Sequence, residues 1–598
     1  MRELRQDISE VLLAHVQQPA QYCGLEHNRR CGDVTRARVR VALAFPDAYS
    51  VGISHLGSQI LYTVLNAMEG VACDRAYCPL LDAEAVLRRE GVPLFGVESR
   101  AALADFDVVG FSLSYELVFT NVLTMLDLAG IPLHADQRGE NCPIIVAGGT
   151  QADAPEVMAD FIDLFLVGDG EQSLPAFVEL VAQMKRSGAS RQDILLEAAK
   201  RIPSAYVPSL WQPSYGADGT LASLAPTRAD IPETVQRSCV PLESSPAITH
   251  PLVPAAQGVF ERISLEIMRG CPQGCRFCHA GATTRPLRQR TVEEIIQTAQ
   301  QAIDNTGYDE LSLLSLSTSD YPGLGELMAK LNEQFSPQHV SIAVPSLRVS
   351  EQLVHLPWQL NQVRKGGMTI AAEVGTDRLR QAIHKRVTNE DLLAGCTAAY
   401  SAGWKSIKVY FMAGFPGESD DDLYGIMDLC RQMSLARKSV DNQKGAVNAA
   451  VSWLVPKPHT PMQWAPQADA DYFWHVRRLL KDAAARSPVQ FRFHRIERSG
   501  LEAVIARGDR RLGAVIERAW RAGARFDGWD EHFNESAWRQ AFEETGLDPA
   551  FFGRRQRPTA ELLPWDHIRG HRGRAGLVTE WEDYLRRMEV GPVKEEEK

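Results

Sequence analysis

The stretch 264-SLEIMRGCPQGCRFCHAGATTRP-286 places Cys271, Cys275 and Cys278 within eight residues, directly after an apolar strand-like run and ahead of Arg285, Arg288 and Arg290. Thiolates are soft ligands that favour iron–sulfur clusters and zinc. A structural zinc site normally closes with four ligands, often two separated CxxC pairs. Here there is one CxxxCxxC and no second pair, and His279 adjoins Cys278 too closely to reach the same ion comfortably. Three thiolates on a four-iron cluster leave one iron open to an outside ligand. The donor count favours the cluster, with zinc as the alternative.

Around this stretch, residues 261–465 alternate strands and helices. The strand candidates are ISLEIMRG, ELSLLSLS, VSIAVPSL, MTIAAEVG, SIKVYFMAG and AAVSWLVPKP. Six parallel units predict an open, partial (β/α)6 barrel, since a complete eight-unit barrel takes about 250 residues. Polar or glycine-rich residues follow nearly every strand: the cysteines, Ser317 to Asp320, Ser346, Glu373, 414-GFPGE-418 and 456-PKPHTP-461. At the carboxyl ends of barrel strands such residues read as active-site lining.

Residues 37–185 form an earlier alternating series, with strands in RVRVALAFPD, DVVGFSLS, PIIVAGGT and LFLVGDGE. Continuous apolar strands between helices predict a parallel, doubly wound, Rossmann-like sheet. Asp47, Ser112, Gly148, Gly149 and 168-GDGE-171 fall just past strand ends, the edge where such sheets bind ligands. The rest divides into a helical extension over 1–36, a Pro/Gly/Ser-rich linker or β-meander over 186–260, and a mostly helical region over 466–598. Within the last, residues 477–525 carry thirteen Arg/Lys against five Asp/Glu.

The 598 residues are too many for one core. The net charge of −11 argues against broad nucleic-acid binding but permits a local basic patch. No apolar run reaches the roughly 20 residues of a membrane span, and the N-terminus lacks a secretion-signal layout. Eleven cysteines, an odd number, fit a reducing compartment. The cytoplasm is the expected location. Cys23, His27 and Cys31 offer metal ligands at i, i+4, i+8, but Gly24 and the lack of a fourth ligand weigh against a site there.

CxxxCxxC at the end of a first barrel strand resembles the signature of the radical S-adenosylmethionine (radical SAM) superfamily. The resemblance implies a [4Fe–4S] cluster on Cys271, Cys275 and Cys278, with the amine and carboxylate of S-adenosylmethionine on its open iron. It further implies reductive cleavage to a 5′-deoxyadenosyl radical. Phe277 and the turn of Gly414 and Pro416 then lie by the adenine. Glu373 holds the ribose or the amino group, and Arg386 holds the methionine carboxylate, for which a bidentate guanidinium is suited. His459 is a candidate substrate contact. An electron donor such as flavodoxin or ferredoxin is implied as partner.

A doubly wound domain ahead of the barrel, with 55-HLG-57, 148-GGTQADAPE-156, GDGE, RGCPQGCRFC and PKPHTP, is similar to an uncharacterised family of the cobalamin-binding class. That likeness covers nearly the whole chain. It implies cobalamin near Gly148 and Gly149, with cobalamin-dependent methyl transfer or a related radical modification. It also implies a separate polypeptide supplying the extra C-terminal domain that some relatives carry. The DxHxxG motif of cobalt-ligating domains is absent, since His55 lies two residues before Gly57; the alternative is a fold that binds nothing. Two further alternatives stand. One is a methylthiotransferase-like enzyme acting on RNA, with 477–525 tracking phosphates. The other is a non-catalytic iron–sulfur electron carrier or scaffold.

Overall fold

The computed structural model describes residue 4 and residues 8–344, 368–485 and 487–591. The first sheet contains β1 (Val39–Phe45), β2 (Val71–Tyr77), β3 (Val108–Ser112), β4 (Ile144–Gly148), β5 (Leu164–Leu166) and β6 (Ala205–Tyr206). Its order is β2-β1-β3-β4-β5-β6, parallel except for β6, which runs antiparallel to β5. The apolar strands are covered on both faces. Helices Leu56–Asn66, Gly170–Arg186 and Arg191–Arg201 pack on one side, Leu81–Glu90 and Phe119–Leu128 on the other. Helix Arg191–Arg201 and β6 therefore carry this unit past residue 185. Strand order reverses between β1 and β3, so the loops leaving them part and open a crevice.

Strand β2 was not among the expected strands. Its centre, Asp74–Arg75, puts two charges into an otherwise apolar run. Both are buried because they have partners: Asp74 Oδ2 accepts from the Ser99 backbone N–H at 2.8 Å, and Arg75 pairs with Glu98 at 2.8 Å and Glu26 at 3.1 Å.

Between the two large sheets lie a hairpin of β7 (Trp211–Tyr215) and β8 (Leu221–Pro226), which is the meander, and β9 (Val235–Gln236). The barrel begins at β10 (Ile263–Glu266). The short strands β11 (Met268–Arg269) and β12 (Arg288–Gln289) pair antiparallel, clamping the base of the cysteine loop. β13 (Glu310–Leu314) and β14 (Ser341–Ala343) extend β10 in parallel. A second parallel sheet holds β15 (Met368–Glu373), β16 (Ser406–Ala413), β17 (Ala446–Trp453) and β18 (Val489–Phe493). Ser346 lies outside the described residues.

All six expected barrel strands are present, and β18 adds a seventh. It falls inside 466–598, the region expected to be mostly helical, where VQFRF mixes polar and aromatic residues after a long helix. In the fold, helix Ala470–Ala484 is its crossover and Val447–Val451 its partner register.

The C-terminal region joins the two units. Leu501, Val504, Ile516, Trp520 and Trp538 enter the core of the first sheet, and Leu577, Trp581 and Tyr584 pack against the barrel with Phe415 and Trp464. The final strand, β19 (Ile568–Arg569), pairs with β9. The described part of 1–36 is helical only in single turns, Ile8–Leu12, Leu13–His15 and Pro19–Tyr22. No helix among the described residues is long and apolar enough to cross a membrane.

Candidate active site

The cysteine loop leaves β11 and is held from three sides. Arg276, fully buried within CPQGCRFC, donates to the Ala382 carbonyl at 2.7 Å and pairs with Glu580 at 2.9 Å and Asp583 at 2.5 Å, on helix Gly573–Met588. Gln273 bonds Asp320, past β13, at 2.9 Å. Arg285 donates from Nε to the Gly281 carbonyl at 3.0 Å and sits in the field of all three cysteines. Among the described residues, no cysteine is in a disulfide.

Cys278 caps helix His279–Thr283, its Sγ accepting from the Gly281 N–H at 3.3 Å. Burial pushes this thiol above its ordinary range, so ionising it calls for a nearby cation. Three half-buried thiols on one clamped loop, none in a disulfide, are a donor set suited to an iron–sulfur cluster. Among the described residues, no three His, Cys, Asp or Glu side chains converge on a point for a single ion.

The other expected residues fall around this loop, with one exception. Phe277 meets Phe415 of the GFPGE turn edge-on, ring centroids 6.0 Å apart. Gly414 holds φ +101°, where a Cβ would sit 2.7 Å from the Phe473 ring. Its N–H donates to Glu418 at 2.6 Å, and Tyr472 donates to the same carboxylate at 2.7 Å. Burial raises the Glu418 pKa to about 7. The Pro416 carbonyl accepts from Tyr584 at 2.7 Å, so the C-terminal helix braces this turn as well.

Glu373 ends β15 at a bulge with φ +67° and pairs with Lys385 at 2.9 Å. Both members of that pair act on the Cys278 thiol. Arg386 is the exception: it is exposed, while Lys385 beside it is buried and turned toward Glu373. The chain turns tightly here, the Val387 N–H donating to the Lys385 carbonyl at 2.9 Å, and the inward basic group is Lys385.

His459 is buried, its Nε2 2.8 Å from the Asp153 carbonyl of the first domain, and burial lowers its pKa to about 3. Asp153 also pairs with Arg237 at 2.5 Å and faces His279 at 3.7 Å. This polar cluster joins four regions of the chain. No local signal in the sequence marks it, because its members lie up to 306 positions apart.

A cavity of about 340 Å³ opens at the crevice of the first sheet. One wall holds His55, Ser112, Gly148, Gly149 and Gly170. The other comes from the barrel: Glu266, Arg269, Thr284 and Leu314. Gly149 holds φ +94°, and a Cβ there would sit 2.7 Å from the Leu113 carbonyl oxygen; only glycine lets the backbone line the cavity floor. Arg269 bridges the walls, pairing with Glu171 at 2.7 Å, Glu266 at 2.8 Å and Asp169 at 3.2 Å. Arg288 also pairs with Asp169, and Arg290 is buried, donating to the Leu242 and Ser245 carbonyls at 3.1 and 2.9 Å. Arg285, Arg288 and Arg290, which follow the cysteines in sequence, are thus all engaged inside the fold.

His55 Nδ1 accepts from the Ser58 N–H at 3.1 Å, and desolvation lowers its pKa to about 4. The neutral ring therefore carries its proton on Nε2, the wrong tautomer for ligating a metal through that atom. A largely apolar, glycine-edged cleft suits a broad flat ligand such as a corrinoid held without a histidine bond.

Much of the basic stretch 477–525 is spent internally. Arg498 pairs with Asp530, Arg510 with Glu156, Arg511 with Asp509, Arg518 with Glu544, Arg521 with Glu517 and Arg525 with Glu84, while Arg507 is buried on backbone carbonyls. Neutralised guanidinium groups make a poor phosphate track.

Family models for "Radical SAM proteins, N-terminal" and "Radical SAM superfamily" match residues 57–208 and 265–430. The chain belongs to the radical SAM superfamily and is a radical SAM enzyme, whose family cofactors are a [4Fe–4S] cluster and S-adenosylmethionine. An uncharacterised protein of Methanocaldococcus jannaschii is 23% identical over 80% of this chain and 90% of its own. The ribosomal protein uS12 methylthiotransferase of Pelotomaculum thermopropionicum is 25% identical over 32% of this chain and 46% of its own. Among solved structures, a radical S-adenosylmethionine methyltransferase from Kitasatospora setae, with cobalamin and a [4Fe–4S] cluster bound, aligns at TM-score 0.46. Its identity is 14%, over 71% of this chain and 77% of that one. The cobalamin-dependent radical enzyme OxsB with aqua-cobalamin aligns at TM-score 0.46 and 11% identity, over 92% and 79%.

Proposed function

We propose that Cys271, Cys275 and Cys278 hold the cluster, that S-adenosylmethionine lies between them and the β15–β16 strand ends, and that the front cavity takes cobalamin. When bound, the cluster supplies the electron that cleaves S-adenosylmethionine to methionine and a 5′-deoxyadenosyl radical. The chain's own residues orient and enclose. Phe277 and Phe415 offer an aromatic wall for the adenine, with the backbone of Gly414 and Pro416 beside it. Glu373 and Lys385 present opposite charges to the methionine ammonium and carboxylate. The leading reaction is cobalamin-dependent methyl transfer to an unactivated carbon, or a related radical modification.

One observation carries this reading. Residues that flank the cysteine loop, Glu266, Arg269 and Thr284, also wall the front-domain cavity, so ligands of the two units share one partition. An electron donor such as flavodoxin or ferredoxin supplies reducing equivalents, and the cytoplasm suits such a site. The anaerobically reconstituted protein, given dithionite and S-adenosylmethionine, is expected to yield 5′-deoxyadenosine. It is also expected to retain hydroxocobalamin through gel filtration. Retention of the corrinoid by a Gly149→Leu variant as fully as by the wild type would remove the cavity assignment.

A further inference from the structure

A second cavity, of about 310 Å³, lies against the cysteine loop, between Gly274–Cys275 and the C-terminal segment 566–577. Five arginines line it: Arg237, Arg285, Arg569, Arg572 and Arg574. The single carboxylate in its wall, Asp566, is already bonded by Arg574. Arg285 is directed at the loop itself, through the Gly281 and Gln273 carbonyls. Three guanidinium groups remain for the interior and mouth.

Arg237 is the telling one. Its side chain is only 10% exposed and pairs through Nη1 with Asp153, yet its Nε and Nη2 are buried with no hydrogen-bond partner. Buried guanidinium donors left unmade cost free energy, about 1–3 kcal/mol each or more for charged groups. A ligand that satisfies them accounts for their survival in a folded chain. At the mouth, Arg569, His571 and Arg572 are exposed, and Arg572 reaches Glu580 at 3.4 Å only. Ordinary solvated arginines would not be gathered around a concavity whose floor is the cysteine loop.

We infer that this cavity is the substrate site and that the substrate carries an oxyanion group, phosphate or carboxylate, held by Arg237, Arg569 and Arg572 next to the cysteine loop. The inference rests on the assignment of the cysteines above and adds to it the chemical class of the substrate. A guanidinium fork matches both groups in two parallel hydrogen bonds. An enclosed volume of this size takes one small-molecule group and not the surface of a folded partner.

The test is calorimetric titration of the full-length, anaerobically reconstituted protein at low salt with inorganic phosphate and, separately, with succinate. Arg569→Gln/Arg572→Gln and Arg569→Lys/Arg572→Lys are compared with the wild type. Saturable binding of at least one probe is expected, weakened tenfold or more in the Gln variant and less in the Lys variant. The probe that binds tells phosphate from carboxylate. No binding of either probe, unchanged binding in the Gln variant, or an equal loss in the Lys variant would each overturn the inference. Formation of 5′-deoxyadenosine is measured on the same wild-type sample. Its absence with probe binding intact would count against the cysteine assignment alone, and its presence without probe binding would count against the anion site alone.

Discussion

Replacing Lys385 with Met isolates the energetics of the pair beside Cys278. Lys385 and Glu373 sit 2.9 Å apart with side chains 8% and 14% exposed. At an effective dielectric of about 20, unit charges at that separation attract by roughly 6 kcal/mol. Desolvation of both groups offsets most of this, so the pair contributes little net stability. Removing one partner leaves a buried carboxylate without its counter-charge, which costs about 3–5 kcal/mol. Removing both, in Glu373→Gln/Lys385→Met, avoids that penalty. The readout is hydrogen exchange of the β15 and β16 amides, where local opening reports the affected layer. K385M is expected to speed exchange by roughly two to four orders of magnitude. The double variant is expected to recover most of the protection and still bind S-adenosylmethionine weakly, because both contacts to it are gone. Equal exchange in K385M and the double variant would refute the reasoning, since the loss would then not come from a stranded charge.

Other outcomes follow from the same geometry. The folded Glu418 has its pKa raised from 4.5 to about 7, so the fold disfavours its ionised form and stability falls as pH rises from 4.5 through 7. The loss is bounded at roughly 3 kcal/mol; in Glu418→Gln, urea unfolding followed from pH 4.5 to 8 should lack that slope. Exchanging Arg386 for Ala should leave S-adenosylmethionine affinity within about twofold, as expected of an exposed side chain; equilibrium dialysis measures it. Transfer RNA should bind the protein weakly at 150 mM salt in filter assays, because Arg498, Arg510, Arg511, Arg518, Arg521 and Arg525 are already paired.

The parts of this molecule legible in its sequence are those written locally. The cysteine spacing, the GFPGE turn, the glycines after β4 and all six expected barrel strands depend on neighbouring residues, and each takes its expected place in the fold. What the sequence hid depends on distant partners. β2 buries Asp74 and Arg75, which Glu26, Glu98 and Ser99, distant in sequence, satisfy. Choosing Lys385 over Arg386 required knowing which of two adjacent bases faces inward. The Arg237–Asp153–His459 cluster, and the C-terminal helix that holds Arg276, are assembled from residues hundreds of positions apart. Local patterns cannot encode such contacts, whereas burial of unpaired donors exposes them at once.

The most direct test of the central claim is iron and 5′-deoxyadenosine analysis of the anaerobically reconstituted wild type beside Cys271→Ala/Cys275→Ala/Cys278→Ala. The account predicts about four irons per wild-type chain, an electron paramagnetic resonance signal of the reduced cluster that shifts on adding S-adenosylmethionine, and neither iron nor product in the variant. A wild-type cluster signal indifferent to S-adenosylmethionine, or product formed by the triple variant, would contradict it.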